Sequence, residues 1–195
     1  MATVLSLLAE RGTLPPRDLA TRGIPADSLD RLYRREEVER VARGLYALPD
    51  ADVTEHHGLA EASRLVPRGV VCLLSALRFH GLTTQLPAAV WLALPSKAWA
   101  LKKPGVRLKV VRYSGAALTE MVEEHEVEKV AVRVYSAAKT VADCFKFRNK
   151  VGLDIAMEAL RDCWRKRQAT MDELWAAARA CRMENVMRPY LEFLG

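Results

Sequence analysis

The chain has 195 residues, half of them apolar, which is enough to bury a core without disulfides or a structural metal. No stretch of eighteen apolar residues occurs, which excludes a membrane-spanning helix, and the apolar start lacks a basic leader and is cut at Glu10 and Arg11, unlike a signal peptide. The formal charge is +6, yet residues 1–50 carry eight Arg, no Lys and eight acids, so the whole surplus lies in residues 51–195. Cys72, Cys144, Cys163 and Cys181 show no CxxC spacing and read as reduced, buried thiols of a cytoplasmic protein.

In chain order, Val4, Leu5, Leu7 and Leu8 predict a helix over about residues 2–11, stopped at Gly12. Leu14 leads into Pro15 and Pro16, and proline suits the first turn of a short second helix, which Gly23 ends. Ile24 is an apolar plug, and Pro25 opens a third helix over about residues 25–35. Two helices, a tight glycine turn and a third helix have the length and punctuation of a helix-turn-helix. On the third helix, Leu29, Leu32 and Tyr33 fall on one side and are expected to face the core. The other side carries Asp27, Ser28, Arg31, Arg34 and Arg35, with Arg17 on the preceding helix. Arginine is suited to bidentate contact with guanine, and serine serves several bases. Asp27 and Asp30 complement the helix dipole, and Asp27 either accepts from a cytosine amino group or discourages wrong sites. A solvated helix with ordinary surface arginines would carry the same residues. The next segment, Val38 to Leu48, divides into two short strands about Arg43-Gly44, a hairpin that reads as a wing with Arg40 and Arg43 near its tip. Helix-turn-helix followed by an arginine-bearing wing is more specific than either part and points to double-stranded DNA.

The polar stretch 49–54 is the expected boundary between a winged helix-turn-helix over 1–50 and a second domain over 55–195. That domain begins with a helix over 55–66. The run from Val70 to Leu74 feeds a short helix ending at His80-Gly81, where the imidazole is placed to meet the last carbonyls. Val90 to Leu94, Val106 to Tyr113 and Val127 to Tyr135 read as strands, Ser136 caps a helix through Phe145, and helices near 152–167 and 170–182 finish the chain. The fold class is α+β. Lys97, Lys102, Lys103, Arg107, Lys109 and Arg112 cluster in one hairpin-like stretch, with Arg107 and Lys109 on the same face of the strand. That face would add phosphate contacts, be an ordinary solvated sheet face, or meet an acidic partner or RNA.

No catalytic or metal constellation emerges, and no cofactor is expected. His56 and His57 are adjacent and diverge by about 100° on a helix. His125 sits in an acidic run expected at the surface. The carboxylates lack nuclease spacing, and Asp143 reads as a buried acid paired with a backbone N–H or an arginine. Trp91, Trp99, Trp164 and Trp175 read as core or half-buried residues rather than a base-stacking platform. A nucleic-acid-processing enzyme targeted by the winged helix, and a protein adaptor, stand as the alternatives to a repressor.

The pattern Leu19-Ala20-x-x-Gly23-Ile24, Leu29-x-x-Leu32 and Arg40-Val41-x-Arg43-Gly44-Leu45-Tyr46 resembles the N-terminal domain of AbiEi-type antitoxins. Leu74-Ser75-Ala76-Leu77-x-x-His80-Gly81-Leu82-Thr83, Leu86-Pro87 and Ser136-x-x-Lys139-Thr140-Val141-Ala142-Asp143-Cys144-Phe145 extend the resemblance over nearly the whole chain, with Lys139 where relatives often have arginine. The resemblance implies a type IV toxin–antitoxin system used in phage defence. Such proteins repress their own operon at promoter inverted repeats and counteract a nucleotidyltransferase toxin without a stable complex. It marks Ser75, His80, Ser136, Lys139, Thr140 and Asp143 as antitoxin-motif residues.

Overall fold

The computed structural model describes residues 3–25, 27–42, 44–49, 54–96 and 106–194. Arg43, Lys97, Trp99, Lys102, Lys103 and the expected boundary at 50–53 lie outside the described residues. The chain starts with α1 (Val4–Arg11), β1 (Thr13–Leu14), α2 (Pro16–Ala20), α3 (Asp27–Arg34), β2 (Glu39–Ala42) and β3 (Leu45–Ala47). Thr3 caps α1 by accepting from the Ser6 amide, and Pro16 opens α2 where its missing N–H loses no partner. The strands form an antiparallel sheet in the order β1-β3-β2. The two-residue β1, too short for any alternation to reveal it, thus makes the third strand of a winged helix-turn-helix. Gly44 takes φ 72° at the wing turn, a conformation a side chain resists. Leu7, Leu8, Leu14, Leu19, Leu29, Val38 and Tyr46 bury themselves in a core drawn entirely from this segment. Tyr33 is not in it and stays 49% exposed. Tyr46 from β3 fills the flank of the core that Tyr33 would have entered, and the two rings meet edge to face at 6.1 Å.

The remainder comprises α4 (His57–Leu65), β4 (Val70–Val71), α5 (Leu73–Phe79), β5 (Val90–Pro95), β6 (Leu108–Tyr113), α6 (Ala116–Thr119), β7 (Val122–Val127), β8 (Val130–Tyr135), α7 (Ala137–Lys146), α8 (Arg148–Val151), α9 (Leu153–Arg165), α10 (Met171–Ala180) and α11 (Glu184–Leu194). Its five-stranded mixed sheet runs β6-β5-β4-β8-β7. Three sequence expectations are corrected here. The basic stretch is not hairpin-like: β5 and β6 pair in parallel, and a tight turn cannot join parallel neighbours. The strand expected from Val127 is a hairpin of β7 and β8, whose first strand, Val-Glu-Glu-His-Glu-Val, carries its charges on a sheet edge. Within it His125 keeps a side chain 37% exposed, 4.8 Å from the Phe79 ring. The chain also continues past 182 into α11, where Pro189 lies beyond the first turn and would ordinarily end a helix. No described helix is long and apolar enough to cross a membrane.

Helix α4 covers one face of the sheet, Leu59, Ala62 and Leu65 meeting Leu92, Val132 and Val134. The other face is covered by α5, α7 and the C-terminal helices. At their centre every residue of α7 from Ala137 to Phe145 is buried, Lys139 and Asp143 included. Lys139 Nζ donates to Asp143 Oδ2 at 2.6 Å, both side chains fully enclosed. Asp143, expected to pair with a backbone N–H or an arginine, instead accepts from Lys139 and from Cys181 Sγ at 3.2 Å. The reason is spacing: residues i and i+4 share a helix face, so the lysine reaches its own acid. The ammonium also lies 4.0 Å over the Tyr135 ring and 5.0 Å over that of Tyr113. Burial raises the Asp143 carboxyl above its usual range, against the pull of Lys139. All four cysteines are free and buried.

The two halves meet along a polar seam. Arg64 of α4 donates to the carbonyls of Arg11 and Thr13, and Lys129 Nζ donates to the Ala9 carbonyl at 2.6 Å. Both cations thus sit at the C-terminal, negative end of α1. Glu61 of α4 faces Arg17 of α2 at 3.9 Å. Lys129 and its neighbour Glu128 form the β7–β8 turn with φ 59° and 51°, left-handed conformations that cost a side-chain-bearing residue roughly 1–3 kcal/mol each.

The enclosed ion pair generates a stability prediction. Lys139→Met strands a buried carboxylate and should cost about 3–5 kcal/mol, whereas Lys139→Met with Asp143→Leu removes both charges and should recover most of it. Denaturant unfolding of the three proteins checks this. Equal losses in single and double variants would mean that the pair itself is the stabilising element.

Candidate nucleic-acid interface

Helix α3 owes its orientation to two anchors. Leu29 is fully buried in the small core, and Tyr46 Oη of the wing strand donates to Asp30 Oδ1 at 2.9 Å. Burial, with the Asp30 carboxylate beside it, raises the Tyr46 hydroxyl above its ordinary value. Asp30, read from the sequence only as a dipole complement, therefore ties the third helix to the wing. The signal was available, because a tyrosine on a short amphipathic strand needs a partner for its hydroxyl.

With Leu29 inward, α3 turns Asp27, Arg31, Arg34 and Arg35 outward, all exposed, and Ser28 half outward. The side chains of Arg31 and Arg35 are 65% and 73% exposed. Arg31 is held loosely over its own helix, 3.8 Å from Asp27 and 3.5 Å from Ser28 Oγ, and Arg35 lies 3.9 Å from Glu37. Pairs this open and exposed contribute little and are readily exchanged for a phosphate or a base edge. Arg34 makes no ion pair among the described residues. Arg40 is exposed on β2, opposite Tyr46 in the register. Arg17 faces the seam, near both Asp18 and Glu61 at 3.9 Å. The structure thus brings Asp27, Ser28, Arg31, Arg34 and Arg35 onto one helix face and places Arg17 away toward α4.

In the second half, the expected alternation of β6 holds. Leu108 and Val110 pack against the α4 side, while Arg107 and Lys109 are exposed. Lys109 Nζ lies 3.8 Å over the Trp91 ring, and Arg112 donates to the Pro95 carbonyl at 3.0 Å. Arg107 lines a cleft of about 380 Å³ with His56, Ser75 and Arg78.

The six motif residues hold α5 and α7 to the sheet at more than one place. The Tyr135 carbonyl accepts from His80 Nε2 at 2.7 Å and from Thr140 Oγ1 at 3.1 Å. Ser136 Oγ caps α7 by accepting from the Lys139 amide. Ser75 Oγ accepts from the Trp91 amide at 3.0 Å, joining α5 to β5. Ser75, Lys139, Thr140 and Asp143 are buried, so their direct contacts are with the fold. His80 does not meet the last carbonyls of its own helix as expected. The last carbonyls of α5 are met instead by backbone amides, those of Ala76, Leu77 and Arg78 by His80, Leu82 and Gly81, while Lys166 and Gln168 donate to the Gly81 and His80 carbonyls just beyond the helix. His80 and Ser136 are half-buried and line a second cleft of about 390 Å³.

Residues 3–49 match the model of a family described as transcriptional regulator, AbiEi antitoxin. No curated protein matches the chain. Among solved structures, the RV2827C protein from Mycobacterium tuberculosis aligns with a TM-score of 0.58 at 15% identity, over 93% of this chain and 75% of that one. At that identity the likeness is one of fold.

His80 gives the contact of α5 with β8 a pH dependence. Burial holds its imidazole below the ordinary value, so the unfolded chain takes up the proton first. The stability that neutral His80 contributes should therefore fall as pH drops through the ordinary imidazole range near 6.5. Melting temperatures at pH values on either side of that range should fall more steeply with acid in the wild type than in His80→Gln. Parallel profiles would remove His80 as the titrating group.

Proposed function

We propose that this chain, whose residues 3–49 match the model of the AbiEi antitoxin family of transcriptional regulators, is a repressor that binds double-stranded DNA. Its units are a winged helix-turn-helix over 1–50, docking α3 in the major groove, and an antitoxin domain over 55–195. The observation that carries the DNA reading is the outward face of α3. Arg31, Arg34 and Arg35 are exposed there while Leu29 and the Tyr46–Asp30 bond fix the helix behind them. Arg31 and Arg34, with Ser28 and Asp27, read base edges. Arg35 and Arg40 meet phosphates, and Arg107 and Lys109 lengthen the phosphate footprint. The operator is an inverted repeat in the chain's own promoter, and the antagonist of the second domain is a nucleotidyltransferase toxin. Support for that second half comes from the family match and the motif residues at 74–83 and 136–145. An enzymatic reading would need Asp143 to reach a phosphodiester, and Asp143 is enclosed with Lys139.

Arg31→Ala and Arg34→Ala should each weaken binding to a duplex of the chain's own promoter by about 1–3 kcal/mol and relax sequence preference. Arg40→Ala should weaken all duplexes alike and lower the log-affinity against log-salt slope by roughly 0.9. Fluorescence anisotropy over a salt series measures all three. Wild-type affinity in all three variants would refute the assignment.

A further inference from the structure

We infer that the Glu128–Lys129 turn is a latch that fixes how the winged helix is presented, making Glu128, Lys129 and Arg64 positioning residues for DNA binding. This rests on the DNA-binding reading above.

The turn is built from the wrong residues for a turn. Val127 pairs with Val130, so only Glu128 and Lys129 separate the strands, and both take left-handed φ values of 51° and 59°. A two-residue connection of this kind favours Asn-Gly, which reaches those angles without strain. Nothing in the hairpin calls for a glutamate and a lysine. Their side chains are used elsewhere.

Glu128 is 3% exposed at its side chain and accepts three hydrogen bonds. The Thr54 amide donates at 2.8 Å, Thr54 Oγ1 at 3.2 Å and His57 Nδ1 at 2.6 Å. It thus clamps the chain where it enters α4, just after the segment that leaves the wing. Lys129 takes hold of the other side, donating to the Ala9 carbonyl of α1 at 2.6 Å. Arg64, also on α4, takes the Arg11 and Thr13 carbonyls. These two cations from the second half grip the negative end of one helix.

The grip reaches α3 through packing. Leu7 and Leu8 of α1 share a single small core with Leu29 of α3 and Tyr46 of the wing, so the segment turns as one body. Whatever sets the direction of α1 sets the direction of the outward arginines. The strained turn is retained because its two side chains hold the winged helix against α4 and the sheet. Without them the winged helix would sample many orientations, and only a fraction would place α3 and the cations of β6 on one duplex. Apparent affinity falls by that fraction.

Glu128→Asn with Lys129→Gly separates the latch from the turn. The replacement suits the hairpin better, which offsets part of the stability lost with the seam bonds, so the melting temperature should change by only a few degrees. Affinity for a labelled duplex of the chain's own promoter should nevertheless fall about tenfold, as when a tenth of the molecules are competent. Amide exchange in the last turn of α1 should quicken. Lys129→Met, which leaves Glu128 in place, should lose part of the affinity, and Lys129→Arg, which keeps a cation, should retain it. If the Asn-Gly variant and Lys129→Met bind as the wild type while Arg31→Ala still weakens binding, the latch is wrong and the DNA reading stands. If Arg31→Ala has no effect either, the DNA reading is wrong, and the role given to the latch falls with it.

Discussion

The carbonyls at the end of α1 are the point on which the arrangement turns. A helix leaves its last carbonyls without intrahelical partners and concentrates negative potential there. In this chain those of Ala9 and Arg11 are met from a distance of more than fifty residues, by Lys129 and Arg64. Among the described residues, the core behind α1 holds eight buried side chains, all from residues 4–48. Segments of that size bury too little surface to be more than marginally stable alone. The polar seam therefore gives the winged helix both a mount and part of its stability, while the desolvated Arg64 is held below its ordinary value by burial and is repaid by three backbone and side-chain acceptors around Thr13 and Arg11.

A division of labour follows. Residues that face solvent on α3 and β2 are the ones suited to DNA, and they owe nothing to net charge, since residues 1–50 sum to zero. Placement does the work: acids such as Asp30 are spent on internal bonds, leaving arginines outward. In the second half the most distinctive residues point inward. Tyr135, Ser136, Thr140, Lys139 and Asp143 knit β8 to α7, and α7 is enclosed by sheet and helices on all sides. Those motifs mark a fold. Any partner of the second half has to be met by surfaces around them, of which the His80–Ser136 cleft is one.

Much of the N-terminal half was legible because its signals are local. Gly12, Pro16, Gly23 and Gly44 punctuate helices and a hairpin, and the 3.6-residue period separates Leu29 from the arginines. What failed there needed tertiary knowledge: Tyr33 is displaced by Tyr46, and β1 is a strand only because β3 lies beside it. In the second half the strands β5, β6 and β8 and the cap at Ser136 were legible from apolar runs and alternation. The β7 strand was hidden by its glutamates, which an edge strand tolerates, and α11 by Pro189. The parallel pairing of β5 and β6 is a non-local choice that periodicity does not carry. The partner of Asp143 lay one helical turn away, yet burying a lysine is uncommon enough that the spacing alone did not suggest it.

Reading of the major groove by α3 is open to test by guanine N7 methylation interference on the chain's own promoter. N7 projects only into the major groove. Methylating a few guanines, repeated in two half-sites about one helical turn apart, should block binding by the protein. Binding that tolerates methylation at every guanine, or that is lost only when minor-groove positions are modified, would contradict it.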